Sequence, residues 1–221
     1  MIVAFDTYYY EGFSYTVAGV FEDWSSEKVN YFVCSRRKGI DAEYTPGELY
    51  KRELPCIMQC LEKINVDSIS CMIVDGFVWL TNENRERVPG LGKRLQDAVM
   101  EKYQHFVTVV GIAKNPYRST IPECVEVTRG MYSNKPLYVT CTELFFTQSY
   151  ADDVEKMFGE FRIPNIIKAV DTKTRNYCND VNKEEETQKA GSGDLNIDMG
   201  DFDQFLIDMK DKGFECEGVI T

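Results

Sequence analysis

Residues 68–77 read SISCMIVDGF, and the rest of the chain is arranged around them. From Ile69 to Val74 the run is almost unbroken apolar sequence with β-branched residues, and it stops at Asp75-Gly76. A short run of this kind reads as a strand buried on both faces, the habit of a central strand in an α/β sheet. A carboxylate where such a strand ends lies at the carboxyl edge of the sheet, where open α/β sheets keep their sites.

Upstream, residues 1–5 (MIVAF) form a second apolar run with Asp6 at its end, extended by Thr7 and three tyrosines. Glu11-Gly12 is a turn signal. Residues 13–21 and 28–35 are alternating and β-rich, with a short polar link between them. Three strands on short turns make an antiparallel meander. Residues 43–47 (EYTPG) read as a turn, and residues 48–64 as a helix carrying Leu49, Ile57, Leu61 and Ile64. Pro55 is expected to kink that helix or end its first part, since it lacks an amide donor and crowds the preceding turn.

Downstream, residues 81–88 (TNENRERV) read as a polar loop, and residues 89–103 as a second helix with Leu91, Leu95, Ala98 and Val99 on one face. Residues 106–112 (FVTVVGI) read as another buried strand closed by Ala113-Lys114, and residues 124–128 and 137–142 as a hairpin. A helix over 151–158 has Asp152 and Asp153 in its first turn, where the helix dipole favours anions. A last helix covers 166–175.

The 221 residues suit one domain over 1–175 and an appended tail over 176–221. The charge is uneven. Residues 1–182 hold 21 Lys and Arg against 25 Asp and Glu, or −4, whereas residues 183–221 hold 4 against 11, or −7. A body near −4 does not advertise the basic face common in nucleic-acid binders, although carboxylates that hold a metal count as negative until it binds. The tail reads as mobile. Phe202, Phe205, Leu206 and Met209 form a short apolar stripe in it, suited to docking a protein partner or to folding back on the chain. Eight cysteines with no CxxC pair and a single histidine, His105, argue for reduced buried thiols rather than structural zinc. No signal-peptide pattern and no apolar run of membrane length is present, so a cytoplasmic monomer without membrane contact is expected.

Three antiparallel strands, helix, strand, helix, strand is the order of a ribonuclease H-like fold, an α/β mixed sheet flanked by helices. In that fold the first and fourth strands are parallel neighbours. Asp6 and Asp75 then face each other, with Glu53 reaching in from the helix above. Like charges that close need a cation or a shared proton. Oxygen ligands favour Mg²⁺, with Mn²⁺ as a substitute, and such a site suits phosphodiester hydrolysis.

Five segments carry a family resemblance. Asp6 followed by Tyr8, YTPGELYKRELP (44–55), VDGF (74–77), VVGIAK (109–114) and FRIPNIIKAVDTKTR (161–175) resemble, in the same order, the motifs of the endonuclease V family. The resemblance implies a Mg²⁺-dependent endonuclease acting on DNA or RNA near deaminated bases such as inosine, leaving 3′-hydroxyl and 5′-phosphate ends. It implies metal held by Asp6, Asp75 and Glu53, charge stabilisation by Lys114, and substrate contact at Gly76. Tyr44, Thr45 and Pro46 correspond to the wedge that parts the strands, an aromatic place for stacking where a base is extruded. Arg85, Arg87, Lys93 and Arg94 are candidate phosphate contacts.

The sequence departs from the family around the loop that lines the base pocket. Val78 (or Phe77) and Thr81 stand where the family has a glycine and a histidine. A shifted Arg87-Val88-Pro89-Gly90-Leu91-Gly92 replaces the family's Arg-x-x-Gly-Leu-Ala, and Thr140-Cys141-Thr142-Glu143 replace a late histidine site. Glu143 is a candidate metal ligand on this reading. A nuclease with another structural target stays open, as does a non-catalytic relative that binds nucleic acid or protein.

The acidic tail is expected to compete with nucleic acid for the phosphate-contacting surface. Deleting residues 183–221 is therefore expected to tighten oligonucleotide binding and steepen its salt dependence. Unchanged affinity and slope would remove that role.

Overall fold

Strand β1 (Ile2–Tyr10) turns through Glu11 and Gly12 into β2 (Phe13–Phe21), and β3 (Tyr31–Lys38) completes the meander. Glu11 and Gly12 have φ of 48° and 76°, the pair of left-handed residues a two-residue hairpin requires. Helix α1 (Leu49–Leu61) then crosses over to β4 (Cys71–Val74), which pairs with β1 in parallel. After a small hairpin of β5 (Trp79–Thr81) and β6 (Arg87–Pro89), α2 (Leu91–Tyr103) leads to β7 (Thr108–Ala113), parallel to β4. Strands β8 (Val125–Val127) and β9 (Leu137–Cys141) close the sheet, and α3 (Thr147–Lys156) and α4 (Asn165–Gly191) follow. The sheet order is β3-β2-β1-β4-β7-β9-β8.

This computed structural model describes residues 1–39, 48–117, 121–130 and 134–191. The chain falls into two units, Met1–Cys178 and Asn179–Thr221, and the described part of the second is the continuation of α4. The wedge candidates Tyr44, Thr45 and Pro46 and the stripe at 202–209 lie outside the described residues. Among the described residues no helix is long and apolar enough to cross a membrane. Seven cysteines, all but Cys216, lie among them, and none of these seven forms a disulfide.

Alternation along the strands sorts the core into two layers. Val3, Phe5, Met72 and Val74 face Ile57 and Leu61 of α1 and Leu95 and Val99 of α2. Ile2, Ala4, Cys71 and Ile73 face the other way, toward Ala151 and Val154 of α3 and Ile166 and Val170 of α4. All four residues of β4 are buried, as the apolar run implies. Each large apolar side chain so enclosed contributes about 1.5–3 kcal/mol.

The chain differs from its sequence reading in five places. Pro55 lies inside α1 and does not end it. The buried face formed by Cys56, Ile57, Cys60 and Leu61 outweighs the ~3 kcal/mol that a mid-helix proline costs. Residues 81–88 are not a plain loop. Asn82 bonds the Glu86 backbone and carboxylate at 2.8 Å each, closing the hairpin with polar side chains that no apolar alternation announces. Strand β3 is shifted to Tyr31–Lys38, three residues later than its alternation suggested. Helix α3 starts at Thr147, so Asp152 and Asp153 lie beyond its first turn, and Asp152 accepts a bond from Gln148 at 2.8 Å. Helix α4 runs to Gly191 instead of stopping at Arg175, because its buried row of Ile166, Val170, Thr174 and Cys178 continues and the polar residues beyond are good helix formers.

One close approach sets the position of the segment after β4. A β-carbon on Gly111 would run into the Gly76 carbonyl and lie 2.8 Å from Thr140 Oγ1. The Val78 amide donates to that same hydroxyl at 2.9 Å. Gly111→Ala is therefore expected to destabilise the protein by about 1–3 kcal/mol in urea unfolding. An unchanged midpoint would show that this segment does not rest on β7.

Candidate active site

The parallel register of β1 and β4 ends with Phe5 opposite Val74. The next residues on the two strands are Asp6 and Asp75, so the pairing delivers two carboxylates side by side at the carboxyl edge. Strand β7 delivers Lys114 one residue past its end, and its Nζ donates to Asp75 Oδ2 at 2.6 Å in a half-exposed ion pair. Asp6, Asp75, Lys114 and Asp171 of α4 line a recess of about 20 Å³, room for a single water or small ion. Gly76 leaves the strand with φ of 145°, a conformation that other residues rarely adopt.

Burial raises the pKa of Asp6. The Thr174 hydroxyl opposes this, Asp171 and Asp75 push it further up, and Lys114 draws it down. Glu53 on α1 belongs to the same electrostatic centre. It keeps a little exposed surface, yet protein atoms crowd its carboxyl, and burial followed by the charges of Asp75 and Asp6 pushes it up to about 8. For Lys114, burial works against the charge, but Asp75 and then Asp6 outweigh it, and the ammonium is held above its ordinary value. The cluster thus carries more negative charge than its interior readily holds.

Asp6, Glu53, Asp75 and Lys114 are brought together, with Gly76 beside them. Glu143 is not, which corrects its grouping with the metal ligands. Strand β9 runs antiparallel to β7, with Cys141 opposite Val110 near the start of β7. Glu143 therefore sits toward the opposite edge of the sheet, bonded to Gln96 at 2.9 Å and Thr142 at 2.7 Å. His105 bonds the Ile69 carbonyl at 2.9 Å and stands apart from the acids. Three of the basic candidates are engaged within the protein: Arg87 pairs with Glu123, Lys93 with Asp97 at 2.5 Å, and Arg94 lies 3.7 Å over the Tyr50 ring. Among the described residues no three His, Cys, Asp or Glu side chains are drawn close enough to ligate an ion as they stand.

Two residues went unassigned in the sequence. Asp171 is the acid of the Ala-Val-Asp segment, and its signal was an acid beside the buried row of a helix. Arg162 donates through Nη2 to the Lys114 carbonyl and, at 2.7 Å, to that of Pro136, fixing the backbone that carries the lysine. On the α1 side, Tyr50, Phe77, Leu80, Asn115 and Tyr117 line a cleft of about 390 Å³ that reaches Asp75 and Lys114. The rings of Phe77 and Tyr117 lie 6.3 Å apart, tilted by 53° to each other.

The architecture is that of endonuclease V structures, a ribonuclease H-like fold. Endonuclease V of Ciona intestinalis, in complex with a 24mer DNA containing an inosine followed by a ribo-adenosine, superposes with a TM-score of 0.64 at 16% identity over 81% of this chain and 86% of that one. The Streptomyces avermitilis enzyme gives 0.61 at 17% identity over 82% of each chain, and that of Bacillus subtilis 0.55 at 19% over 83% and 81%. No family model matches the sequence, and no curated protein matches it.

The raised Glu53 carboxyl makes stability depend on pH. The folded chain holds this proton more tightly than the unfolded one, so its contribution is full below 4.5 and is lost as pH rises through about 8. With divalent cations chelated, unfolding free energy is expected to fall across that window. Glu53→Gln should flatten the fall, and an identical pH profile for the variant would place the shifted proton elsewhere.

Proposed function

We propose that this protein is an endonuclease V-like, Mg²⁺-dependent endonuclease that hydrolyses phosphodiester bonds in DNA or RNA near deaminated bases such as inosine. The observation that carries the reading is the pairing of β1 with β4, which sets Asp6 beside Asp75. Glu53, Asp171 and Lys114 surround that pair.

The donor chemistry fits a hard divalent cation. The acids are oxygen ligands, they repel one another, and a recess of single-ion size lies among Asp6, Asp75 and Asp171. Asp6 and Asp75 would hold the ion, with Glu53 and Asp171 completing the acidic shell. A bound Mg²⁺ supplies activation of water and neutralisation of charge on the leaving 3′ oxygen. Lys114 sets a positive charge 2.6 Å from Asp75, suited to the non-bridging oxygens of a phosphate. Arg162 keeps that lysine's backbone in position.

The aromatic cleft is a receptacle for an extruded base, with the Phe77–Tyr117 pair as one aromatic surface for it to lie against. A relative captured with inosine-containing DNA supports this substrate class. A second reading, a nuclease of the same fold with another structural target, is favoured by Thr81. It stands where the family has a histidine, and it is buried at 7% exposure in β5.

A cleavage assay tests the proposal. Single- and double-stranded DNA and RNA, with and without one inosine, are incubated with Mg²⁺ or Mn²⁺. Cutting beside inosine is expected, reduced more than about a hundredfold in Asp75→Ala. Equal cutting of every substrate would remove the base specificity, and cutting that survives in Asp75→Ala would remove the site.

A further inference from the structure

On the α4 side of the acids lies a second depression, a groove of about 580 Å³ that shares Lys114 with the aromatic cleft and continues along the start of α4. In a chain of net charge −11 its lining gathers Lys114, Arg162, Lys168 and Arg175 against one acid, Asp171. Three of these cations are held in place. Lys114 is paired with Asp75, and Arg162 is tied to two carbonyls. Arg175 bonds Asp171 at 3.2 and 3.3 Å and lies 5.3 Å over the Tyr8 ring.

Lys168 is different. Among the described residues it has no carboxylate partner. It stands in the first turn of α4, which contains no acid, so the helix dipole and the ammonium are both positive there. Its Nζ lies 5.5 Å over the ring of Phe161, which is 58% exposed. That exposure is built in, because the backbone around Phe161 is anchored. Buried Arg129 donates to the carbonyls of Phe161 and Gly159 at 3.1 Å and of Glu155 at 3.3 Å. A β-carbon on Gly130 would meet the Phe161 carbonyl carbon at 2.7 Å. An anchored, exposed ring beside an unpaired cation is a place for an anion that carries its own flat apolar group.

We propose that this groove binds the strand on the side of the cut opposite the extruded base, with Lys168 and Arg175 on backbone phosphates and a base stacked on Phe161. The inference rests on the nuclease reading and adds a binding subsite to it. The strand then runs from the aromatic cleft, past the acids and Lys114, into the groove. An overall acidic protein thus meets its polyanion through a local concentration of positive charge.

The test is fluorescence anisotropy of labelled single-stranded DNA and RNA 12-mers, about the site size of such grooves. The full chain is used in chelator over a range of salt. Lys168→Glu is expected to weaken binding on the order of tenfold and to lower the salt slope by about 0.7, one phosphate contact on a single strand. Phe161→Ala is expected to weaken binding on the order of tenfold with the slope unchanged, the signature of lost stacking. Lys28→Glu, an exposed charge change toward the opposite edge of the sheet, should leave both unchanged. Lys168→Glu and Phe161→Ala proteins that bind like wild type would overturn the groove while leaving the nuclease reading intact. A wild-type chain that neither binds the strand nor cuts it with Mg²⁺ would overturn both.

Discussion

Two carboxylates at the ends of adjacent parallel strands repel each other, and the β1–β4 register leaves them no way apart. Parallel strands present their carboxyl ends together, so any acid that follows each strand is held at the neighbour's distance. What surrounds the pair answers that constraint. Lys114 arrives from the next parallel strand, and Glu53 is left with a carboxyl raised to about 8. A cation or a shared proton relieves the charge that remains, which links the packing of the sheet to the chemistry proposed for it.

The two faces of the sheet serve the edge differently. On the α1 side the loop after β4 is pressed against Gly111, and its aromatic residues wall a cleft. On the α4 side the lining is cationic. Lys114 touches both, and Arg162 ties its carbonyl to the segment that precedes α4. Hydrogen bonds to its side chain and to its carbonyl thus hold the residue that lines both depressions, the kind of support a preorganised site needs.

Several features were not readable because their cause is long-range. Pro55 argues against helix locally, and only the burial of Cys56, Ile57 and Leu61 against the sheet overrides it. The hairpin between β4 and α2 is held by Asn82 and Glu86, whose side-chain bonds leave no apolar period. Glu143 stood at a suggestive place in the chain, but the antiparallel return of β9 carries it toward the other edge of the sheet. Asp171 is far from Asp6 in sequence and close only once α4 lies across the sheet.

The apolar runs ending at Asp6 and Asp75, the turn at Glu11-Gly12 and the helical spacing after Glu48 determined the meander, the crossover and hence which two acids end up at one edge. These follow from local periodicity and from the few ways a strand, a helix and a strand can join. The tertiary structure alone decided that Asp171 joins the acids and Glu143 does not. It also decided that the edge opens into an aromatic cleft on one face and a cationic groove on the other. Those outcomes depend on which faces of α1 and α4 the core consumes, a choice made by packing between residues remote in the chain.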